Sequence, residues 1–105
     1  MMRKISPTTF WGKDAWDAMD IETFDGSTTV RLHWTDKPYK WHINDGPEVF
    51  VVLDGKVDMH VRKNTEVSVL SMKVGDIFHA IDGDEHVAHP NGAARVLVIE
   101  REGSV

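Results

Sequence analysis

Residues 42–55 read HINDGPEVFVVLDG and place three polar side chains around a predicted tight turn. His42 and Asn44 are two residues apart, so on a strand their side chains point to the same face. The sequence Asp-Gly-Pro at 45–47 favours a turn. Glu48 then opens a run of apolar residues that is typical of a strand covered on both faces. The stretch therefore predicts two strands joined by a turn, with polar side chains gathered beside that turn.

Turn signals and alternating hydrophobicity extend this pattern over the rest of the chain. Glycine follows Asp or Asn at 25–26, 45–46, 54–55, 82–83 and 91–92. Each pair favours a tight turn, because both residues tolerate a positive φ. Between the turns, apolar and polar residues mostly alternate, as in strands with one buried face. We therefore predict an all-β sandwich or barrel in one domain spanning residues 1–105.

Helical periodicity is weak everywhere in the sequence. Only Gly12–Met19 offers a helical turn, in which Trp16 and Met19 are three residues apart, and its aspartates suit a loop equally well. Both interpretations of this segment are compatible with the sequence.

Composition and charge exclude several classes of protein. The 105 residues include 12 Lys and Arg against 17 Asp and Glu, a formal net charge of −5, and no basic stripe that would indicate nucleic-acid binding. The longest apolar run, 49–53, is far shorter than the ~20 residues of a membrane helix. Residues 1–10 show no signal peptide. The sequence contains no cysteine, which fits the cytoplasm. We expect a cytoplasmic protein with no nucleic-acid or membrane partner.

Four polar residues form a candidate metal site. His86 follows the turn at 82–83, and if the chain closes into a small barrel it points into the same opening as His42, Asn44 and Glu48. Two imidazoles and one carboxylate are the ligand set of non-haem Fe(II) oxygenases and equally of catalytic zinc sites. An amide oxygen from Asn44 is a poorer ligand. The spacing also fits a plainer interpretation, in which a histidine before a turn lies at the surface and the glutamate caps a strand end.

The same residues carry a resemblance to a known family. Residues 42–55 resemble the first cupin motif, which reads His-x-His, three or four residues, Glu, six residues, Gly. The matching positions are His42, Asn44, Glu48 and Gly55. Asn44 stands where the family usually has its second histidine.

A second stretch, within 75–90, supports the same resemblance. Residues 75–86, GDIFHAIDGDEH, resemble the second cupin motif, which reads Gly-Asp, a short strand, Pro-x-Gly-x-x-His. The match includes Gly83 and His86, with Ile81 in place of the proline. The resemblance implies a double-stranded β-helix, or jelly-roll barrel, often assembled as a homodimer.

The resemblance also implies a function. His42, Glu48 and His86 fill three of the four family ligand positions, and Asn44 occupies the fourth. This implies a divalent metal ion (Fe, Mn, Ni or Zn), a small polar or anionic ligand, and dioxygenase- or isomerase-type chemistry. Whether the protein is an enzyme stays open, because cupins that lose ligands also serve as metal-free modules that bind small molecules or a second subunit.

The other histidines are expected outside the metal site. His89 is three residues after His86 and so points to the opposite face of a continuing strand. His79 is expected outside the barrel. His33 and His60 lie on the polar faces of their strands, and either one could line the cavity.

Several aromatic and apolar residues are candidates for the cavity wall. Phe50 and Val52 share the strand face of Glu48 and predict an apolar wall. Trp34 and Trp41 are interpreted either as residues at the cavity opening or as core residues, and Tyr39 as a possible hydrogen-bond donor.

Overall fold

The computed structural model describes residues 1–104 and is built almost entirely from strands. A 3₁₀ turn at Pro7–Thr9 precedes them. The strands are β1 Asp17–Phe24, β2 Thr28–Thr35, β3 His42–Ile43, β4 Glu48–Asp54, β5 Val57–Lys63, β6 Glu66–Met72, β7 Ile77–Ala80, β8 Glu85–Pro90 and β9 Ala94–Arg101. Every strand pair is antiparallel. The predicted all-β fold is confirmed. Within residues 1–104, no helix is long and apolar enough to cross a membrane.

The strands form two sheets that pack face to face. One sheet has the order β1-β2-β9-β4-β7, and the other has the order β3-β8-β5-β6. Strands distant in sequence are therefore neighbours in space, as β2 beside β9 and β5 beside β8. This arrangement is the double-stranded β-helix expected from the sequence.

The core lies between the two sheets and follows the alternation of the strands. Its members are the inward-facing apolar residues Phe50, Val52, Val57, Met59, Met72, Phe78, Ala80, Ala88, Ala94, Val96 and Val98. Glu48 shares the inward face of β4 with Phe50 and Val52, so the start of that strand carries a carboxylate into the barrel.

Strand β2 places its polar face inward and its apolar face outward. Arg31 and His33 pair with the core-facing Val98 and Val96 of β9, and residues opposite each other in an antiparallel pair share a face. Leu32, on the outward face, is nevertheless only 1% exposed. Another part of the chain therefore covers the outside of this sheet.

That cover is the segment that precedes β1. The ring of Trp11 lies 6.2 Å from that of Trp34, centroid to centroid. A Cβ added to Gly12 would lie 2.6 Å from the Trp34 ring, so only glycine allows the chain to pass this close. Trp34 therefore packs on the outer face of the sheet, where it is 9% exposed.

Arg95 holds this N-terminal segment against the barrel. It is 5% exposed, and its Nε donates a hydrogen bond to the carbonyl oxygen of Phe10 (2.9 Å). Its Nη1 pairs with Asp54 Oδ2 at 2.6 Å, and its guanidinium lies 4.6 Å from the centroid of the Trp11 ring. A buried charge with these partners fixes the segment in one place.

The helical interpretation of Gly12–Met19 is wrong, and the loop interpretation is correct only up to Trp16, since the last three residues belong to β1. Residues 13–16 form a turn and bend, and β1 begins at Asp17. Trp16 adopts a left-handed backbone (φ 67°), which is rare for a bulky residue. Its N–H donates to the carbonyl oxygen of Trp34 at 3.0 Å. This conformation turns the chain into β1 and packs the indole against the core between the sheets.

Candidate metal centre

A cavity opens at the end of the barrel where β3, β4 and β8 meet. Its volume is about 180 Å³. The residues that line it come from both sheets, from the segments before β1 and β3, and from the chain after β9: Trp16, Arg31, His33, Tyr39, His42, Glu48, Phe50, His86, Ala88, Val98, Glu100 and Ser104. Metal-ligand candidates, other polar groups and an apolar wall therefore share one space.

Three of the four predicted metal-site residues offer converging ligand atoms. His42 on β3 pairs directly with His86 on β8, and their ring centroids are 4.3 Å apart. Glu48 is the first residue of β4. One ligand atom from each of the three residues lies within 4.8 Å of the other two. Two ligands about 2 Å from one ion lie at most about 4 Å apart, so the three side chains would draw slightly closer together around a bound ion.

His86 is the centre of the cluster. Its Nε2 lies 2.6 Å from Asn44 Oδ1 and 3.0 Å from Glu48 Oε1. All three residues are buried, with exposures of 2% for His86 and 6% for the other two. The predicted proximity of His42, Asn44, Glu48 and His86 is therefore present in the structure.

Asn44 reaches the cluster from a turn rather than from a strand. Strand β3 ends at Ile43, so the expected alternation along a strand does not position the amide. The backbone N–H of Asn44 donates to the carbonyl oxygen of Asp84 (2.8 Å), and its own carbonyl oxygen accepts from the N–H of Gly83 (2.9 Å). The turn after β3 and the turn before β8 are thereby joined, which keeps Asn44 beside His86.

His42 is held in a form that suits a metal ligand. Its Nδ1 lies 3.0 Å from the carbonyl oxygen of Lys40, an oxygen that can only accept, so Nδ1 carries the proton and Nε2 keeps its lone pair. Burial lowers the pKa of His42, although the hydrogen bond to Lys40 opposes this effect. The ring is therefore neutral at pH 7, the state that metal binding requires.

Comparison with known proteins identifies the fold. No family model matches the sequence, and no curated protein matches it. A cupin-2 domain protein from Shewanella frigidimarina has a TM-score of 0.76 and 20% identity, over 90% of this chain and 87% of that one. A cupin superfamily protein from Desulfitobacterium hafniense has a TM-score of 0.75 and 11% identity, over 90% and 85%. The chain has the cupin fold.

A further similar structure is a metalloprotein of the same fold. It is Fe(II)-HppE with the alternative substrate (S)-1-HPP, with a TM-score of 0.69 and 13% identity. The match covers 79% of this chain and 48% of that one. The cupin architecture is thus shared with a protein that holds Fe(II), and at this identity the likeness concerns the fold alone.

The donor set of this cupin barrel fits a divalent metal ion. Among residues 1–104, the buried Oε1 of Glu48 has no hydrogen-bond partner, although it lies 3.0 Å from His86 Nε2. The two atoms are close, but their geometry is not that of a hydrogen bond. A buried carboxylate oxygen without a hydrogen bond is costly, and a cation beside it relieves that cost. The His42, Glu48 and His86 cluster could therefore hold a metal.

His33 lines the cavity. From the sequence pattern, either His33 or His60 could have done so. Its Nδ1 lies 3.0 Å from the carbonyl oxygen of Trp16 and so carries the proton, leaving Nε2 as an acceptor. Burial lowers the pKa of His33, so the ring is neutral at pH 7. His33 is thus a cavity residue outside both cupin motifs.

Glu100 is a cavity residue that the sequence analysis missed. It stands directly opposite Glu48 on the neighbouring strand β9, in a position that appears in neither cupin motif. Burial, followed by repulsion from Glu48, raises the pKa of Glu100 to about 7. The side of the cavity near Glu48 is therefore rich in carboxylates, a setting that favours a cation.

Two of the five candidate wall residues line the cavity, and the other three, Val52 among them, lie elsewhere. Phe50 lines the cavity, and so does Tyr39, while Val52 is buried in the core behind them. Burial raises the pKa of Tyr39, which keeps its hydroxyl protonated as a donor. Trp34 lies on the outer face of its sheet, and Trp41 is 37% exposed with the guanidinium of Arg62 4.2 Å from its ring centroid.

The remaining histidines lie outside the barrel, as expected for His79 and His89. His89 and His60 are on the outer face of the four-stranded sheet, where their ring centroids are 4.0 Å apart. His79 is exposed on β7. Of the two histidines on polar strand faces, His33 is therefore the one that reaches the cavity.

Proposed function

We propose that this chain is a one-domain, metal-dependent cupin. His42, Glu48 and His86 hold a divalent ion, and Asn44 occupies the fourth ligand position. The observation that carries the proposal is the convergence of one ligand atom from each of the three residues within 4.8 Å. The buried Oε1 of Glu48 supports it.

The donor set limits the chemistry. Two imidazoles and one carboxylate leave coordination positions open, so the bound ion supplies Lewis acidity or, for Fe(II), oxygen activation. Fe, Mn, Ni and Zn are all compatible with these ligands. We propose dioxygenase- or isomerase-type chemistry on a small polar or anionic ligand.

Other residues of the chain position the ligand His42 and present polar and apolar groups to the cavity. Lys40 fixes the ring of His42 through its carbonyl oxygen, and Phe50 contributes an apolar part of the cavity wall. Tyr39 offers a donor and His33 an acceptor to whatever enters. These groups can hold a small ligand in one orientation beside the open ligand positions.

The test is metal content and metal-dependent stability of the purified, untagged protein. Saturating Mn²⁺, Fe²⁺, Ni²⁺ or Zn²⁺ at about 100 times Kd stabilises the fold by about 2.7 kcal/mol, or roughly 10–20 °C in Tm. His86→Ala abolishes both metal content and the shift in Tm. His79→Ala, which removes an exposed histidine, retains both.

Two further variants test the site independently, in case His86→Ala does not fold. His42→Ala changes a less buried member of the cluster and is also expected to lose the metal. Asn44→His places an imidazole in the fourth position and is expected to tighten binding about tenfold, since imidazole is the better ligand. Wild type that shows no shift with any of the four ions contradicts the proposal.

A specific observation favours a second candidate function, a metal-free cupin that binds a small molecule or a second subunit. If Nε2 of His86 carries the proton, it can donate to Asn44 Oδ1, 2.6 Å away, with Glu48 Oε1 also close at 3.0 Å. The cluster is then stabilised without an ion. An unchanged Tm with every metal would support this candidate.

We also propose a homodimer located in the cytoplasm. The outer face of the four-stranded sheet exposes Val67 (52%) and Val69 (49%) beside His60 and His89. Apolar groups on an edge strand favour association. The lack of cysteine supports a reducing compartment, and cell fractionation tests the location.

A further inference from the structure

One wall of the cavity is an aromatic surface whose central indole is held by three hydrogen bonds at a strained backbone position. Trp16 has a positive φ of 67°, a conformation that costs about 1–3 kcal/mol and persists only where the surroundings enforce it. Its N–H donates to Trp34, its carbonyl oxygen accepts from His33, and its indole N–H donates to the carbonyl oxygen of Lys37, each at 3.0 Å. The indole is therefore held in place before any ligand arrives.

Tyr39 extends this surface. Its ring centroid lies 5.3 Å from that of Trp16 and 5.4 Å from that of His42, both in edge-on geometry. All three residues line the cavity. The aromatic surface therefore runs from Trp16 to the metal cluster, and a flat ring can pack against it through offset or edge contacts.

Arg31 supplies the cation that the same cavity presents to a ligand. It shares the inward face of β2 with His33 and lines the cavity. Its Nε donates to Asp20 at 2.7 Å, and among residues 1–104 neither of its Nη groups makes a hydrogen bond. A guanidinium with free Nη groups binds a carboxylate through charge-assisted hydrogen bonds.

The charge of the cavity makes the binding of an anion depend on the metal. Arg31 is already paired with Asp20, and Glu48 and Glu100 share the cavity with it, so the carboxylates outweigh the guanidinium without an ion. A divalent ion at the His42, Glu48 and His86 cluster reverses that balance. The volume of the cavity also limits the size of the ligand. A cavity of about 150 Å³ accepts benzene, and this one measures about 180 Å³, so it admits a ligand with a single ring.

We infer that the metal-loaded cavity takes a small aromatic carboxylate, with its ring against Trp16 and its carboxylate paired with Arg31. This inference rests on the proposed metal site and adds the chemical class of the ligand. The residues that select it lie outside both cupin motifs.

The test is isothermal titration of three probes into protein loaded with the ion that gives the largest increase in Tm. Benzoate carries both the ring and the charge, cyclohexanecarboxylate only the charge, and benzyl alcohol only the ring. Benzoate is expected to bind at least tenfold more tightly than either of the others. Metal-free protein is expected not to bind benzoate.

Variants test separately the contact of benzoate with Arg31 and its contact with Trp16. Arg31→Gln weakens the binding of benzoate about tenfold without changing metal affinity. Arg31→Lys keeps the charge but loses the planar guanidinium that can make two parallel hydrogen bonds, and it gives a smaller loss of affinity. Trp16→Leu removes the preference for benzoate over cyclohexanecarboxylate, whereas Trp16→Phe retains it. The controls are Arg62→Gln, which removes an arginine paired with Glu85 away from the cavity, and Phe24→Leu, which changes an exposed aromatic residue at the end of β1; both leave benzoate binding unchanged.

The outcomes separate this inference from the proposed function. A protein that binds no metal overturns the metal site and this inference with it. A protein that binds metal but not benzoate, or binds benzoate equally well after Arg31→Gln and Arg31→Lys, overturns the ligand class alone. Equal affinity for benzoate and cyclohexanecarboxylate overturns the role of the aromatic wall.

Discussion

At the scale of single residues, the site depends on where protons and charges are held. The carbonyl oxygens of Lys40 and Trp16 orient His42 and His33, so each ring keeps Nε2 as an acceptor. Burial keeps both rings neutral by lowering each pKa. Glu48 and Glu100 place two carboxyl groups side by side on neighbouring strands. The cavity thus combines neutral nitrogen ligands with carboxylates, a set suited to a divalent cation.

Glu100 gives the metal-free protein a pH-dependent loss of stability. Its pKa is about 7 in the folded state against 4.5 for the unperturbed group, so the folded state binds more protons between these values. Stability from this group is present below pH 4.5 and is lost as the pH rises through about 7. In EDTA, Glu100→Gln is therefore expected to raise the free energy of unfolding more at pH 8 than at pH 5.

Urea unfolding at the two pH values measures this difference. Glu66→Gln, at an exposed position on β6, is the control and should change stability equally at both. Wild type and Glu100→Gln with parallel pH profiles would show that Glu100 ionises freely in the folded protein.

At the scale of elements, tight turns bring distant strands into contact. Gly55 ends the first cupin motif in the turn from β4 to β5, with φ 78°. A Cβ at this position would lie 2.5 Å from the carbonyl oxygen of Ala93. The turn therefore presses against the one before β9, and the motif requires glycine for both its conformation and this close approach.

Gly55→Ala is expected to destabilise the protein by about 2–4 kcal/mol, since it adds a steric clash to an unfavourable positive φ. Gly26→Ala is the matched control: Gly26 has φ 65° but no atom within 4 Å of the added Cβ. It should cost only about 1–2 kcal/mol. Chemical denaturation measures both, and equal losses would mean that the contact with Ala93 contributes nothing.

At the scale of the whole molecule, the two sheets differ in how their outer faces are covered. The N-terminal segment, held by Arg95, covers the five-stranded sheet and buries Leu32. The four-stranded sheet ends at β6, whose outward valines stay exposed. The proposed homodimer forms through this uncovered face, because association would remove its apolar area from water.

Val69→Lys is expected to convert the dimer into a monomer, since it places a charge at the centre of the proposed interface. Light scattering coupled to size-exclusion chromatography measures the mass. The control is Val74→Lys, which changes an equally exposed valine (58%) in the turn after β6 and should leave the dimer intact. A wild-type protein of monomeric mass, or a dimeric Val69→Lys, would reject this interface.

The all-β fold could be predicted from the sequence, because turn signals and a two-residue repeat are local properties. The proximity of His42, Asn44, Glu48 and His86 was implied by the resemblance of their spacing to the two cupin motifs. That the polar face of β2 lines the barrel is visible only in the folded chain, since alternation distinguishes two faces without saying which is buried. The apolar face is outside because the N-terminal segment covers it. That segment also carries Trp16 into the cavity, and Arg31, His33 and Glu100 join the site through contacts between strands distant in sequence.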